Sequence, residues 1–391
     1  MGVDPRRGRL ERDFARFKRA LPRDLAAHVR EAYHVNLAAR YLGQAIPHPV
    51  GKGSGQLSLN PAQLEGDAAA GLAFTVLKTV IAEDETGVQS MAAWAIHETR
   101  MKVEQRPSAT GRLGWTVTWR GRGWDRTLEE YLALVRAGRD LTRAGALLVV
   151  PSVKYHLPRL DEPFRDSEYR HTTAALARAW GEPPLLLEQD FSPTLAGDRL
   201  AAAQPQILRW LREVPTRVRA ASPLPVRLAL KLMNARFDDA FQVEMVRAAA
   251  TADALVAFNR LFDAERNVAY GGWDLSDRNL RVLDTLVTTP GASLRPAGLC
   301  GTGNVCSGRL MLEYARRGCE SVQVHTFFQL PLRAYPATHG SRIARALHAL
   351  VFHPADGLVA VLLDEAARGT LEPRDGELHF LDVAARADRA R

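Results

Sequence analysis

The chain has 391 residues, 46% hydrophobic and 25% charged, with a formal net charge of +8. These are ordinary globular values that give enough chain for a full core in one large domain or two smaller ones. Every apolar run is broken by charge before it could span a bilayer, and "MGVDPRRGRLERDF" lacks the apolar centre of a secretory signal. Three cysteines without a CxxC pair exclude a disulfide framework and a four-thiolate metal centre, so no metal and a cytoplasmic setting are expected. The arginines are scattered among acids without interleaved aromatics, which argues against a nucleic-acid surface.

Residues 8–34 predict one or two amphipathic helices, with Leu10, Phe14, Phe17, Leu21, Leu25 and Val29 on one stripe. This lead-in (1–36) is expected to pack on the main domain. Peripheral membrane contact is the lesser alternative. From about residue 40, short apolar runs alternate with helical patterns. Strands are predicted at 48–55, 73–82, 114–119, 146–155, 184–191, 226–232, 253–259, 294–303 and 321–328. Helices fill most gaps between them, one of them opened by Asn60 as N-cap with Pro61 behind it. Most strand runs are continuously apolar, as in a parallel sheet covered on both faces. Nine candidates lie within miscounting distance of an eightfold (β/α)8 TIM barrel over 37–352. The stretches 84–113 and 156–170 would be loops over one end, and the tail 353–391 adds a helix and a short "ELHFLDV" run.

"CGTGNVCSG" (Cys300–Gly308) follows at least six strand–helix units. A dinucleotide fingerprint belongs at the first such turn, and a P-loop needs Gly-Lys-Ser/Thr; neither fits. In an eightfold barrel the loops after the last two strands commonly hold a phosphate. Backbone N–H groups at Gly301 and Gly303, with the Thr326 hydroxyl, suit a monophosphate.

The chain resembles the dihydroorotate dehydrogenase-like FMN proteins over most of 37–330. The motifs are "NLAARYLGQAIPHPVGKGSG", "VLKTV", "LALKL", "DALVAFN", the glycine pair at 271–272 and "GTGN…SGRLMLEYARRGCESVQVHT". The resemblance implies FMN held by Gly53, Ser54, Gly55, Lys78, Thr79, Lys231, Asn259, Gly271 and Gly272. Its phosphate would sit on Gly301, Gly303, Asn304 and Thr326. Lys231, with Lys78 nearby, would stabilise the reduced ring, because an unpaired ammonium among apolar strand residues is costly without such a role. "QDFSPTLAGDR" stands at the family's base loop, which makes Ser192 the base that takes a carbon-bound proton while hydride passes to the flavin. Thr194 is its candidate relay.

The family's substrate amides are replaced here by Thr118, Gln189 and Thr194, and only Asn259 remains. A site built of amides rejects analogues that leave its groups unpaired, so the substrate is expected to be dihydroorotate or a related small cyclic acid. Trp119, Arg120 and Arg122 are further candidates for roofing a ring or binding a carboxylate, and Lys154 and His156 for anion binding. Asn304 and His325 stand where the family usually has glycine. The leading expectation is an FMN-dependent oxidoreductase acting on a CH–CH bond. The alternatives are a non-redox barrel lyase or aldolase with a Schiff-base lysine, and a flavin-binding subunit with weakened catalysis. Without an Fe–S cysteine set, electron transfer through a cluster within this chain is not expected; the electron acceptor is unidentified, with quinone one candidate. A homodimer is compatible with all three readings.

Overall fold

The computed structural model describes residues 4–94, 101–107, 113–119, 123–191, 203–234, 238–263, 268–272, 275–288 and 298–389. Ten parallel strand segments form its main sheet. Two pairs of segments are halves of one strand, so the ten reduce to eight staves. These are β1 (Val50–Lys52), β2 (Phe74–Val76 with Val80–Ile81), β3 (Leu148–Val150 with Ser152–Lys154), β4 (Leu185–Asp190), β5 (Val226–Met233), β6 (Ala254–Asn259), β7 (Leu299–Thr302) and β8 (Cys319–Val324). Each pairs with the next, and β8 pairs back onto β1. The sheet therefore closes into a (β/α)8 TIM barrel, as the strand–helix alternation predicts. Pro151 explains the break in β3, because proline cannot donate to a ladder; the break in β2 is where Lys78 and Thr79 lie.

The ninth predicted strand, 114–119, is not a stave. It belongs to a four-stranded antiparallel sheet built from Met101–Pro107, Leu113–Trp119, Leu261–Asp263 and Val268–Gly272. Those strands leave the barrel after β2 and after β6, on the side where staves end. "GWTVTW" alternates, as a half-covered antiparallel strand does, whereas the staves do not. Part of the excess length between 84 and 113 is thus sheet rather than loop.

Local sequence explains the helix starts. Asn60 caps Pro61–Ala69 through the Gln63 N–H, with Pro61 in the first turn. Thr127 and Glu130 form a reciprocal capping box on Leu128–Arg143. Ser307 caps Gly308–Arg316, the helix that follows β7. The lead-in is two helices, Pro5–Arg16 and Leu25–Tyr33. Their apolar stripe is covered by the protein itself. Phe14 stacks on His348 at 4.4 Å, and Phe17 meets Phe352 edge-on at 4.9 Å, both on the helix Arg342–Phe352. Val35–Asn36 pairs with Leu378–His379, so the two ends of the described chain meet. Among the described residues no helix is long and apolar enough to cross a membrane.

The ladder register fixes which side chains fill the barrel. In parallel staves, paired residues share a face and alternate residues oppose. Ser152 pairs with Glu188, Glu188 with Ala229, Asp190 with Lys231, Lys231 with Val256, and Thr302 with Gln323. These positions line the interior. Gly51, facing Phe74, belongs to the same set: a Cβ there would lie 2.1 Å from the Phe74 ring. Tyr41, from the hairpin Ala39–Tyr41/Gln44–Ile46 just before β1, stacks on Phe74 at 4.3 Å and closes that end of the core.

Candidate functional site

A cleft opens where the staves end. It is lined by Gly53 and Ser54 from the end of β1, Lys231 from β5, Asn259 and Arg260 from the end of β6, Thr302 of β7 with Gly303, Asn304 and Val305 after it, and Gln323, His325 and Thr326 from the end of β8. Gly271 and Gly272 of the antiparallel sheet close it over.

At the cleft's floor lies a buried polar cluster. Glu188 is fully buried. Its Oε2 accepts from the Tyr41 hydroxyl at 2.7 Å and from Gln323 Nε2 at 2.6 Å. The Lys231 ammonium stands 3.6 Å from its Oε1. Gln323 Nε2 also donates to Tyr41 at 3.1 Å, whereas Gln323 Oε1 is buried with no hydrogen-bond partner. Burial first, then the Glu188 charge, holds the Tyr41 pKa well above its ordinary value, so Tyr41 stays a donor. Burial likewise raises the Cys300 thiol well above its usual range and keeps it uncharged.

One wall is a hydroxyl network. Thr79 Oγ1 lies 2.8 Å from Ser54 Oγ and 3.0 Å from Ser152 Oγ, and donates to Asp190 Oδ2 at 3.2 Å. Ser54 is its member on the cleft. Lys154 is also buried there, donating to the carbonyls of Asp190 and Phe191 at 3.3 and 3.4 Å. It braces the end of β4.

The other end is built of backbone. Gly303 has φ +104° and Asn304 φ +53°, the left-handed region that suits glycine and asparagine. Asn279, from the helix Leu275–Thr288, donates to the carbonyls of Phe258 (2.8 Å) and Thr302 (2.6 Å), clamping β6 to β7. Asn304 donates to Ser276 at 3.1 Å. Thr326 opens a short 3-10 turn, Thr326–Gln329, at the end of β8. His325 carries no charge: burial, then the charges of Arg260, Lys231, Lys78 and Lys52, lower its pKa to about 3.

The expected residues distribute as follows. Gly53, Ser54, Lys231, Asn259, Gly271, Gly272, Gly303, Asn304 and Thr326 meet in the cleft. Thr79 stands behind Ser54, and Lys78 is buried near enough to His325 to depress it. Two glycines have other work. Gly301 points outward against Tyr314, where a Cβ would lie 2.5 Å from the ring, and Gly55 leaves room for the His325 ring at 2.3 Å. Gln189 alternates with Glu188 and Asp190 and so faces the helix layer, away from the cleft; Asp190 takes the inward position. Thr118 is buried in the antiparallel sheet, paired with Tyr270 beside Gly271. His156 is buried between Glu162 and the Arg165 N–H, a loop-bracing role. Ser192, Thr194, Arg120 and Arg122 lie outside the described residues, as does the Trp119 side chain.

The sequence reading passed over Glu188, Gln323, Tyr41, Asp190, Asn279 and Arg260. A signal existed for the first two. An acid in "LLLEQD" and an amide in "SVQV" are as anomalous in apolar staves as the lysine of "LALKL".

No protein-family model matches the chain, and no curated protein matches it. Among solved structures, it is similar to the crystal structure of DHODH from Eimeria tenella in complex with ferulenol. The TM-score is 0.60 at 12% identity, covering 99% of this chain and 97% of that one. The chain therefore has a DHODH-like fold over its whole length.

Proposed function

We infer that the protein is an FMN-dependent oxidoreductase acting on a CH–CH bond of a small cyclic acid, with dihydroorotate the first substrate to test. The observation that carries this reading is one cleft with two unlike ends. A cation and an unpartnered amide oxygen, Lys231 Nζ and Gln323 Oε1, form the floor. A backbone cradle at Gly303, Asn304 and Thr326 forms the far end. FMN has matching parts: a ring edge of alternating C=O and N–H groups, and a terminal phosphate. Bound FMN would supply the hydride acceptor.

The chain's own residues would do the rest. Lys231 places positive charge at the floor, where charge develops on the ring edge. Gly303, Asn304 and Thr326 hold the tail. Gly271 and Gly272 bring backbone close over the cleft because they carry no side chain; a Cβ on Gly272 would lie 2.3 Å from the Trp115 carbonyl. Arg260, on the cleft wall beside Asn259, offers a fork for a substrate carboxylate. Ser192, which follows β4 in sequence and lies outside the described residues, is proposed as the base.

The test is direct. Purified protein should be yellow and release FMN on denaturation. Its flavin should bleach on anaerobic mixing with dihydroorotate, and Ser192→Ala should slow that bleaching by about 10²-fold or more. Colourless protein that takes up no FMN would overturn the cofactor. Bound flavin that dihydroorotate leaves oxidised would overturn the substrate alone.

A further inference from the structure

We propose that Glu188 is a positioning residue that makes the cleft floor selective for a ring edge carrying an N–H beside a C=O, by turning the Gln323 amide. A carboxylate only accepts, so the Gln323 atom 2.6 Å from Glu188 Oε2 has to be the NH2 group. Both donors of that group are used, one on Glu188 and one on the Tyr41 oxygen at 3.1 Å. The amide cannot flip without facing an oxygen lone pair toward a carboxylate. Gln323 Oε1 is therefore left buried, unpartnered and turned to the cleft. A Cβ on Gly53 would lie 3.0 Å from that oxygen and 3.4 Å from Lys231 Nζ, so the acceptor and the cation flank one bare backbone position. Together they complement one N–H and one adjacent C=O. An unsatisfied buried acceptor costs free energy until such a ligand arrives, and a ligand without the N–H leaves it unsatisfied.

The inference rests on the FMN reading, in which the edge is the pyrimidine N–H and C=O of the flavin ring. The probes are FMN and FMN methylated at the ring imide nitrogen, which share the phosphate tail. Wild type should bind FMN about ten-fold or more tighter than the methylated analogue, the ratio for one lost buried hydrogen bond. In Glu188→Gln the new amide can donate, the Gln323 side chain is free to turn, and the preference should fall below about three-fold. Tyr41→Phe keeps the Glu188 contact and the stack on Phe74, and should keep the preference. Equal binding of the two flavins by wild type, or an undiminished preference in Glu188→Gln, overturns the proposal while leaving FMN intact.

A second measurement needs neither flavin nor a Glu188 variant. The side-chain NH2 signal of Gln323, assigned by its loss in Gln323→Leu, should exchange slowly with solvent in the flavin-free protein. Rapid exchange overturns the orientation, and absence of any FMN binding beside slow exchange overturns the cofactor reading alone.

Discussion

The two ends of the cleft are built by opposite means. The cradle end, after β7 and β8, is backbone: Gly303 and Asn304 at positive φ, with Asn279 clamping the neighbouring carbonyls. The floor is side chain: Glu188, Lys231, Gln323 and Tyr41 from four different elements. A backbone cradle is written in consecutive residues and tolerates change around it. A buried charge cluster depends on every partner, because each removal leaves another group desolvated without compensation. The contrast predicts a fragile floor and a robust cradle.

The largest test breaks the floor. Lys231→Met should destabilise the protein by about 3–5 kcal/mol, because Glu188 is left as an uncompensated buried charge. Adding Glu188→Leu should recover much of that loss, as a denaturant titration of both variants would record. A double variant no more stable than the single would mean that the pair is not the source of the fragility. Tyr41→Phe removes one hydrogen bond to a charged group and should cost about 1.5–3 kcal/mol, read from the same titration.

At the cradle the expected stability cost is smaller and the binding cost larger. Gly303→Ala must hold φ +104° and would press a Cβ to 2.4 Å from the Asn279 amide. Strain of this kind costs about 1–3 kcal/mol. FMN and free phosphate should both lose affinity in this variant, whereas riboflavin, lacking the phosphate, should bind as in wild type. A matching loss for riboflavin would move the phosphate away from this loop.

The smallest effect is a pH slope. The folded-state pKa of His325, lowered to about 3, lies below the ordinary value of 6.5. The unfolded chain therefore binds a proton first as pH falls. His325 contributes stability that is fully present above pH 6.5 and lost progressively from there toward pH 3. His325→Gln should flatten the pH dependence of the unfolding midpoint across that window, and an unchanged slope would show that the imidazole is not held neutral.

The glycine-rich turn after β7 was legible because its ingredients are local: "CGTGN" and its place late in the strand–helix series suffice to predict a turn at Gly303 and Asn304. Gly301 and Gly303 look alike in sequence, yet only the pleat shows that a Cβ on Gly301 would face Tyr314. The same one-residue alternation moves Gln189 out and Asp190 in, since a step along a strand exchanges its faces. The extra strand at 114–119 was miscounted because length and β-propensity do not say with which sheet a strand pairs.

The sequence by itself determined the repeated strand–helix order, the apolar character of the staves, the capped helix starts and the glycine-rich turn after β7. Each follows from residues within a few positions of one another. Only the tertiary structure decided the floor. Gln323 and Tyr41 are 282 residues apart, and Glu188 lies 147 from one and 135 from the other. Barrel closure brings β8 against β1 and sets the hairpin of Tyr41 beneath them. What any of these groups presents to a ligand depends on partners that no local pattern contains.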